Sequence, residues 1–208
     1  GSEMCIRDRA QAAYRTAIAK QPKNLGAYSA LSELLVRQKN YGAAAEVIQT
    51  GLREDPQNLN LRLISAGLQI QQGNNADAIA QYEAILKDQP NSPVAINNLA
   101  SLLLDSRSDK DAIDRAFALT QKLKDTAVPQ FQDTVGWAQF KKGDAQGAVT
   151  TLEAVVAKLP DLAAVRYHLG MSYVAAGKLD QAKVQFQKAL TLEPDGTPLK
   201  DVIRAALK

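Results

Sequence analysis

One histidine, one cysteine and one tryptophan are the scarcest side chains with a chemistry of their own in this 208-residue chain. Nucleophilic catalysis needs a nucleophile beside a base. His168, in RYHLG, has no second histidine to work with, and Cys5 sits in an opening segment, GSEMCIRDR, unlike anything downstream. A packing or partner-facing role therefore outweighs a catalytic one for His168. Metal sites need clustered His, Cys or carboxylate ligands, and none is visible. Asp109, Lys110 and Asp111 lack the alternating ligands and central glycine of a calcium loop. No glycine-rich phosphate loop follows a strand pattern. The expectation is no catalytic residue, no cofactor and no metal. Trp137, Phe140, Tyr167 and Met171 offer a different chemistry, because aromatic and methionine side chains anchor bound peptide segments. At helical spacing such residues also serve as core, so partner patch and inter-helix core both stand as readings of this set.

Those side chains need elements to position them, and composition narrows the choice. The chain is 46% hydrophobic but only 5% aromatic. That profile favours closely packed helices over strands, which draw on β-branched and aromatic residues. The 25 basic and 22 acidic residues are dispersed, for a net charge of +3, and form no basic run of the nucleic-acid-binding kind. No apolar run approaches the roughly 18 residues of a membrane-spanning helix, so no direct membrane insertion is expected.

A period organises the chain. Pro22, Pro56 and Pro90 lie 34 apart, as do Pro160 and Pro194. The 70 residues between Pro90 and Pro160 hold one unit of 34 and one of 36. A fixed period in this range marks a stacked repeat fold. In the same register Gly170 meets Gly136, Ala66 and Ser32, Gly177 meets Gly143, Gly73 and Lys39, and Ala182 meets Ala148, Ala78 and Ala44. Small residues recur where two helices approach closely. Glycine recurs where the first helix stops, since the left-handed conformation costs it least. Proline follows the second helix, which it cannot continue. Asn24, Asn58, Ser92 and Asp161 suit helix N-caps, and Ser92-Pro93 and Thr197-Pro198 pair a cap with a first-turn proline.

A 34-residue helix-turn-helix unit with L-G/A, Y, G, A, F/Y, A and P at these offsets resembles the tetratricopeptide repeat. The resemblance covers nearly everything after Arg9 and implies an all-α fold, a right-handed α-solenoid of stacked helix-turn-helix repeats. Five units are placed at 25–58, 59–92, 93–128, 129–162 and 163–196, with 10–24 as the second helix of a truncated repeat and 197–208 as a capping helix. In the third unit the turn DSRSDKD has no glycine. A longer, protruding loop is expected there, with Ala116 rather than Ala112 in the close-packing role.

The opening residues 1–9 occupy the place of the missing first helix without its pattern. GSEMCIRDR is similar to the translation of a sequencing-library adapter carrying a transposase mosaic end. The alternatives are an irregular authentic N-terminus or a cloning scar. On the adapter reading residues 1–9 are non-native, Cys5 carries no functional weight, and the sequence is a fragment that begins in mid-repeat. More repeats, and any signal or lipid-attachment cysteine, then lie upstream.

In this family the first helices line a concave, ligand-binding face. By position the resemblance implies Ser29, Glu33 and Arg37; Leu63, Gly67 and Gln71; Asn97, Ser101 and Asp105; Asp133, Trp137 and Lys141; Tyr167, Met171 and Ala175. The candidate partner groove is Asn97, Ser101, Trp137, Phe140, Lys141, Tyr167 and Met171. The lysine-asparagine-arginine clamp of chaperone-binding repeats has no counterpart at these positions, and only Asn97 and Asn98 resemble a rung of the asparagine ladder seen in O-GlcNAc transferase repeats. The phrases AINNLASLL, DTVGW and RYHLG are similar to the C-terminal region of bacterial repeat lipoproteins associated with PEP-CTERM/exosortase and exopolysaccharide-export systems. That resemblance implies a periplasmic or outer-membrane-associated scaffold. The expected function is a non-catalytic scaffold that binds a protein or peptide segment. A substrate-recruiting arm of a larger enzyme, such as a glycosyltransferase, and a self-associating element of an envelope assembly are the alternatives.

Overall fold

The computed structural model describes residues 2–207, with the side chains of Ile6 and of residues 8–207; the side chain of Cys5 lies outside them. Among the described residues all regular structure is helical. The order is α1 (Ser2–Lys20), α2 (Leu25–Arg37), α3 (Tyr41–Glu54), α4 (Leu59–Gln71), α5 (Asn75–Asp88), α6 (Pro93–Ser106) and α7 (Lys110–Thr120) with a 3-10 turn at Gln121–Leu123. Then come α8 (Pro129–Lys141), α9 (Ala145–Lys158), α10 (Ala163–Ala175), α11 (Leu179–Leu192) and α12 (Pro198–Ala206). The chain forms two compact units that meet in sequence between Ala95 and Ile96.

Four of the five helix-turn-helix pairs from α2 to α11 close in the same way. The backbone N–H of Asn40, Asn74, Asp144 and Lys178 reaches back to the carbonyl of Leu35, Gln69, Gln139 and Tyr173, at 2.8–2.9 Å. The residue before each donor is left-handed: Gly73 at φ 80°, Gly143 at 88°, Gly177 at 73° and, without the benefit of glycine, Lys39 at 58°. This is the helix-ending motif in which a left-handed residue lets the chain fold back over the last turn.

The close approach of the two helices rests on size matching. A Cβ built on Gly136 would lie 2.6 Å from Leu152 Cγ, and one on Gly170 would lie 2.4 Å from Phe186 Cε1. Leu152 and Phe186 are themselves buried, with Ala148 and Ala182 one turn before them. In the first unit Tyr28, Leu31, Leu35, Ile48, Leu61 and Leu68 form the core of α2–α4. In the second, Leu152, Leu169, Tyr173, Phe186 and Ile203 gather α9–α12 around one cluster.

The unusual repeat departs from its sequence expectation. Its inter-helix linker, Arg107–Asp109, is three residues long, as are 38–40, 72–74, 142–144 and 176–178. No protruding loop forms. The extra residues are absorbed into an additional turn at the start of α7, because Asp109 caps it: the backbone N–H of Ala112 donates to the Asp109 carboxylate at 3.0 Å, and Arg107 donates to it at 2.9 Å. These two contacts, in that order, hold the Asp109 carboxyl below the usual carboxylate range. Ala116, Thr120 and Leu123 are buried at the 4,3 spacing of Ala148, Leu152 and Val155, so Ala116 fills the close-packing position.

At the other end of the sequence α1 continues back to Ser2, so the opening segment carries on the helical ladder. After Gly1 it contains neither glycine nor proline, the two residues that most oppose a helix. The helix stops at Lys20, and Gln21–Asn24 form the turn into α2. Among the caps, the Asn58 side chain accepts from Leu61 N–H and that of Thr197 from Lys200 N–H. Asn24 sits at its cap position without a side-chain bond, and Leu162 rather than Asp161 occupies the cap of α10.

Candidate functional site

The single tryptophan is the centre of an aromatic assembly. Trp137 lies on α8, one turn after Asp133 and one before Lys141. Its indole stacks on Phe140 at a centroid distance of 4.7 Å and 8° between planes. It also stacks on His168 of α10 at 4.2 Å and 17°. Tyr167 leans on Trp137 at 6.0 Å and on Phe186 at 6.1 Å. The Lys141 ammonium stands 4.9 Å from the Trp137 ring centroid, a cation–π distance.

The polar edges of these rings are fixed as well. The Trp137 Nε1–H donates to Asp105 Oδ1 of α6 at 3.2 Å, and Ser101 Oγ donates to the other oxygen of that carboxylate at 3.2 Å. His168 Nδ1 lies 2.9 Å from Asp133 Oδ1, with both side chains about 15% exposed. Burial, and then the charge of Asp105, push the Tyr167 phenol up from its ordinary value.

Trp137 is only 6% exposed. It is therefore the packed centre of this face and not a ring lying open in it. Phe140, Tyr167 and Met171 are partly buried and pack on the core of the second unit. Asp105 is exposed, and Ser101 and Lys141 are partly so. Asn97 lies two turns before Asp105 on α6; its Nδ2 donates to Asn98 Oδ1 at 3.2 Å, while its own Oδ1 is buried without a partner. The seven residues of the candidate groove thus lie on α6, α8 and α10, with the tryptophan sealed beneath its neighbours. Asp105, Asp133 and His168, which knit the assembly together, stand outside those seven, although the repeat register places Asp105 and Asp133 on the same face. The signal was present in the repeat: Asp133 is one helical turn before Trp137, and His168 follows Thr134 by one period of 34.

In the first unit Ser29 and Glu33 of α2 line an open groove of about 580 Å³ together with Asn60 and Ile64 of α4. Asn60 Nδ2 donates to Ser29 Oγ at 2.9 Å. Arg37 pairs with Glu33 at 2.6 Å, but both are well exposed, and such a pair contributes little to stability. Among the described residues no group of three or more His, Cys, Asp or Glu side chains could hold a metal ion. No described helix is long and apolar enough to cross a membrane.

Comparison with known proteins matches this architecture. The tetratricopeptide-repeat profiles match residues 35–103 and 139–205, and, in a second version, residues 7–58. The chain belongs to the tetratricopeptide-repeat family. No curated protein sequence matches it significantly. Among solved structures it is similar to TTC0263, a thermophilic tetratricopeptide-repeat protein of Thermus thermophilus, with 21% identity and a TM-score of 0.66 over 85% of this chain and 95% of that one. It is also similar to YrrB, a repeat protein with an unusual peptide-binding site, with 16% identity and a TM-score of 0.61 over 93% and 98% of the two chains. A third similar structure is the Cut9–Hcn1 hetero-tetramer of the APC/C, with 16% identity and a TM-score of 0.78; it is matched over 99% of this chain and 40% of that one. At these identities the likeness establishes the fold.

Proposed function

We propose that the chain is a non-catalytic scaffold that binds a protein or peptide segment across the exposed side of α6, α8 and α10. The observation that carries this is the fixed aromatic assembly. Trp137 is stacked on Phe140 and His168 and bonded to Asp105, so the partly exposed Lys141, Tyr167 and Met171 are presented on a rigid base. A preorganised surface loses little conformational entropy when a partner binds. Tyrosine, methionine and a cation over an aromatic ring suit an extended or helical segment with apolar side chains flanked by an acid. The peptide-binding site named for YrrB supports the same use of the fold. The phrases shared with envelope repeat lipoproteins support a bacterial export assembly as the setting, which fractionation of cells carrying the parent protein checks.

The test is a peptide display selection against the full chain. Lys141→Ala and Met171→Ala should each weaken the selected peptides about tenfold, the first of them without changing the melting temperature. Thr150→Ala, on the exposed side of α9, should leave binding intact. Peptides indifferent to the first pair of changes and lost with the third would overturn the reading.

A further inference from the structure

The α6–α8–α10 surface carries an uneven set of charges. Its first-helix positions hold two acids, Asp105 and Asp133, and one base, Lys141, on a chain whose net charge is +3. Neither acid is fixed by a base. Asp105 accepts the Trp137 indole N–H on Oδ1 and the Ser101 hydroxyl on Oδ2, each at 3.2 Å. Asp133 is held by the His168 ring at 2.9 Å. Lys141 is directed at neither carboxylate, because its ammonium stands 4.9 Å from the Trp137 ring centroid. Asp114 and Asp195 of the same unit, by contrast, each take two basic partners.

Of the two acids on this surface, Asp105 is the accessible one. It is exposed, whereas the Asp133 side chain is 16% exposed. A carboxylate offers about four acceptor positions, two on each oxygen. One on each oxygen of Asp105 is taken by Ser101 or Trp137. What is left is one position on each oxygen, the pattern that a guanidinium fork fills with two parallel N–H bonds. Ser101 and Trp137 already orient the carboxylate, so a ligand loses little in ordering it. Its charge also reaches the Tyr167 phenol, which it helps to push up, and an aromatic ring beside such a site favours a flat cation. Lys141 repels a cation from the far side of the indole, which leaves the α6 side for it.

We infer that the segment bound across α6, α8 and α10 carries an arginine whose guanidinium pairs with Asp105, at the α6 side of the acid that faces Lys141. This rests on that surface being the binding face, and it adds the charge that selects the partner.

The probe is the tightest peptide from a random displayed library selected on the full chain. It is synthesised with its arginine and with citrulline in that place, which keeps the shape and removes the charge. Both peptides are titrated into the wild type and into Asp105→Asn, whose amide oxygen can still accept the Trp137 indole N–H. In the wild type citrulline should weaken binding about fivefold, and the difference should shrink at high salt. In Asp105→Asn the two peptides should bind alike. The citrulline peptide should bind both proteins equally, which shows the face intact. Peptides that depend on Lys141 and Met171 but carry no arginine, or that lose the same factor to citrulline in both proteins, overturn this inference and leave the binding face standing. Peptides indifferent to Lys141→Ala and Met171→Ala overturn the face and the inference with it.

Discussion

Trp137 and Asp105, 32 residues apart in sequence, are joined by an indole N–H to carboxylate hydrogen bond of 3.2 Å. The bond ties α8 to α6 at the ring on which Phe140 and His168 stack. Removing the ring would take away a buried aromatic and leave a cavity between helices. Trp137→Ala should destabilise the second unit by about 3–5 kcal/mol, measured by urea unfolding followed by far-ultraviolet circular dichroism. Asp105→Ala removes only the acceptor and should cost about 1–2 kcal/mol. A loss of partner binding in Trp137→Ala therefore reports a damaged scaffold, whereas the same loss in Lys141→Ala reports a contact.

The contact of Gly170 with Phe186 supports a prediction of unusual sign. Glycine to alanine inside a helix ordinarily stabilises by about 0.5–1 kcal/mol. At Gly170 the new Cβ would lie 2.4 Å from the Phe186 ring, and both residues are buried within α10 and α11. Gly170→Ala should lower stability by about 1–3 kcal/mol. Combined with Phe186→Leu it should cost less than the sum of the two single changes, because the smaller side chain gives the methyl room. Additive losses in a double-mutant cycle would show that the ring is not what the methyl meets.

How far this architecture is legible in the sequence follows from the same residues. The small partners Gly136 and Gly170 and the left-handed Gly73, Gly143 and Gly177 recur at fixed offsets because each satisfies a local steric demand repeated in the regular units. The three-residue linker at Arg107–Asp109 is not legible, since the sequence pattern suggests a loop where Asp109 caps a helix. The aromatic face was legible as a set of residues but not as a surface. Periodicity places Trp137 on the first-helix side, and only the stacking on Phe140 and His168 shows that it is sealed. The pairing of Asp133 with His168 is not legible, because it crosses a repeat boundary and spacing within one repeat does not reveal it.

Tyr173 makes the chain sensitive to alkali in a defined direction. Burial first, and then its hydrogen bond to Glu153, 2.7 Å long, push the phenol from 10.0 up to about 12. Between these values the unfolded chain releases a proton that the folded chain retains. The contribution of Tyr173 is therefore fully present below about pH 10 and is lost as the pH rises towards 12. Urea midpoints of the wild type should fall over this window, and those of Tyr173→Phe should fall less steeply. Parallel profiles would assign the alkaline loss to other groups.

Lys39 offers a gain in stability. It takes the turn position filled by Gly73, Gly143 and Gly177 and holds a φ of 58°. Its backbone N–H donates to Val36 and the following Asn40 N–H to Leu35, at 2.8 and 2.9 Å, so the turn itself is well formed. The strain lies in the contact between a Cβ and its own backbone that left-handed geometry imposes, which costs roughly 1–2 kcal/mol in a non-glycine residue. Glycine removes that contact but gives the unfolded chain more freedom, which offsets part of the gain. Lys39→Gly should accordingly stabilise the first unit by about 0.5–1 kcal/mol, raising the urea midpoint without altering the dependence on denaturant. The converse change, Gly73→Lys, should destabilise by a similar amount, since a Cβ at Gly73 meets no other atom within 4 Å and only the backbone conformation opposes it. If both changes were neutral, the left-handed turn would not be the feature that selects glycine at this position of the repeat.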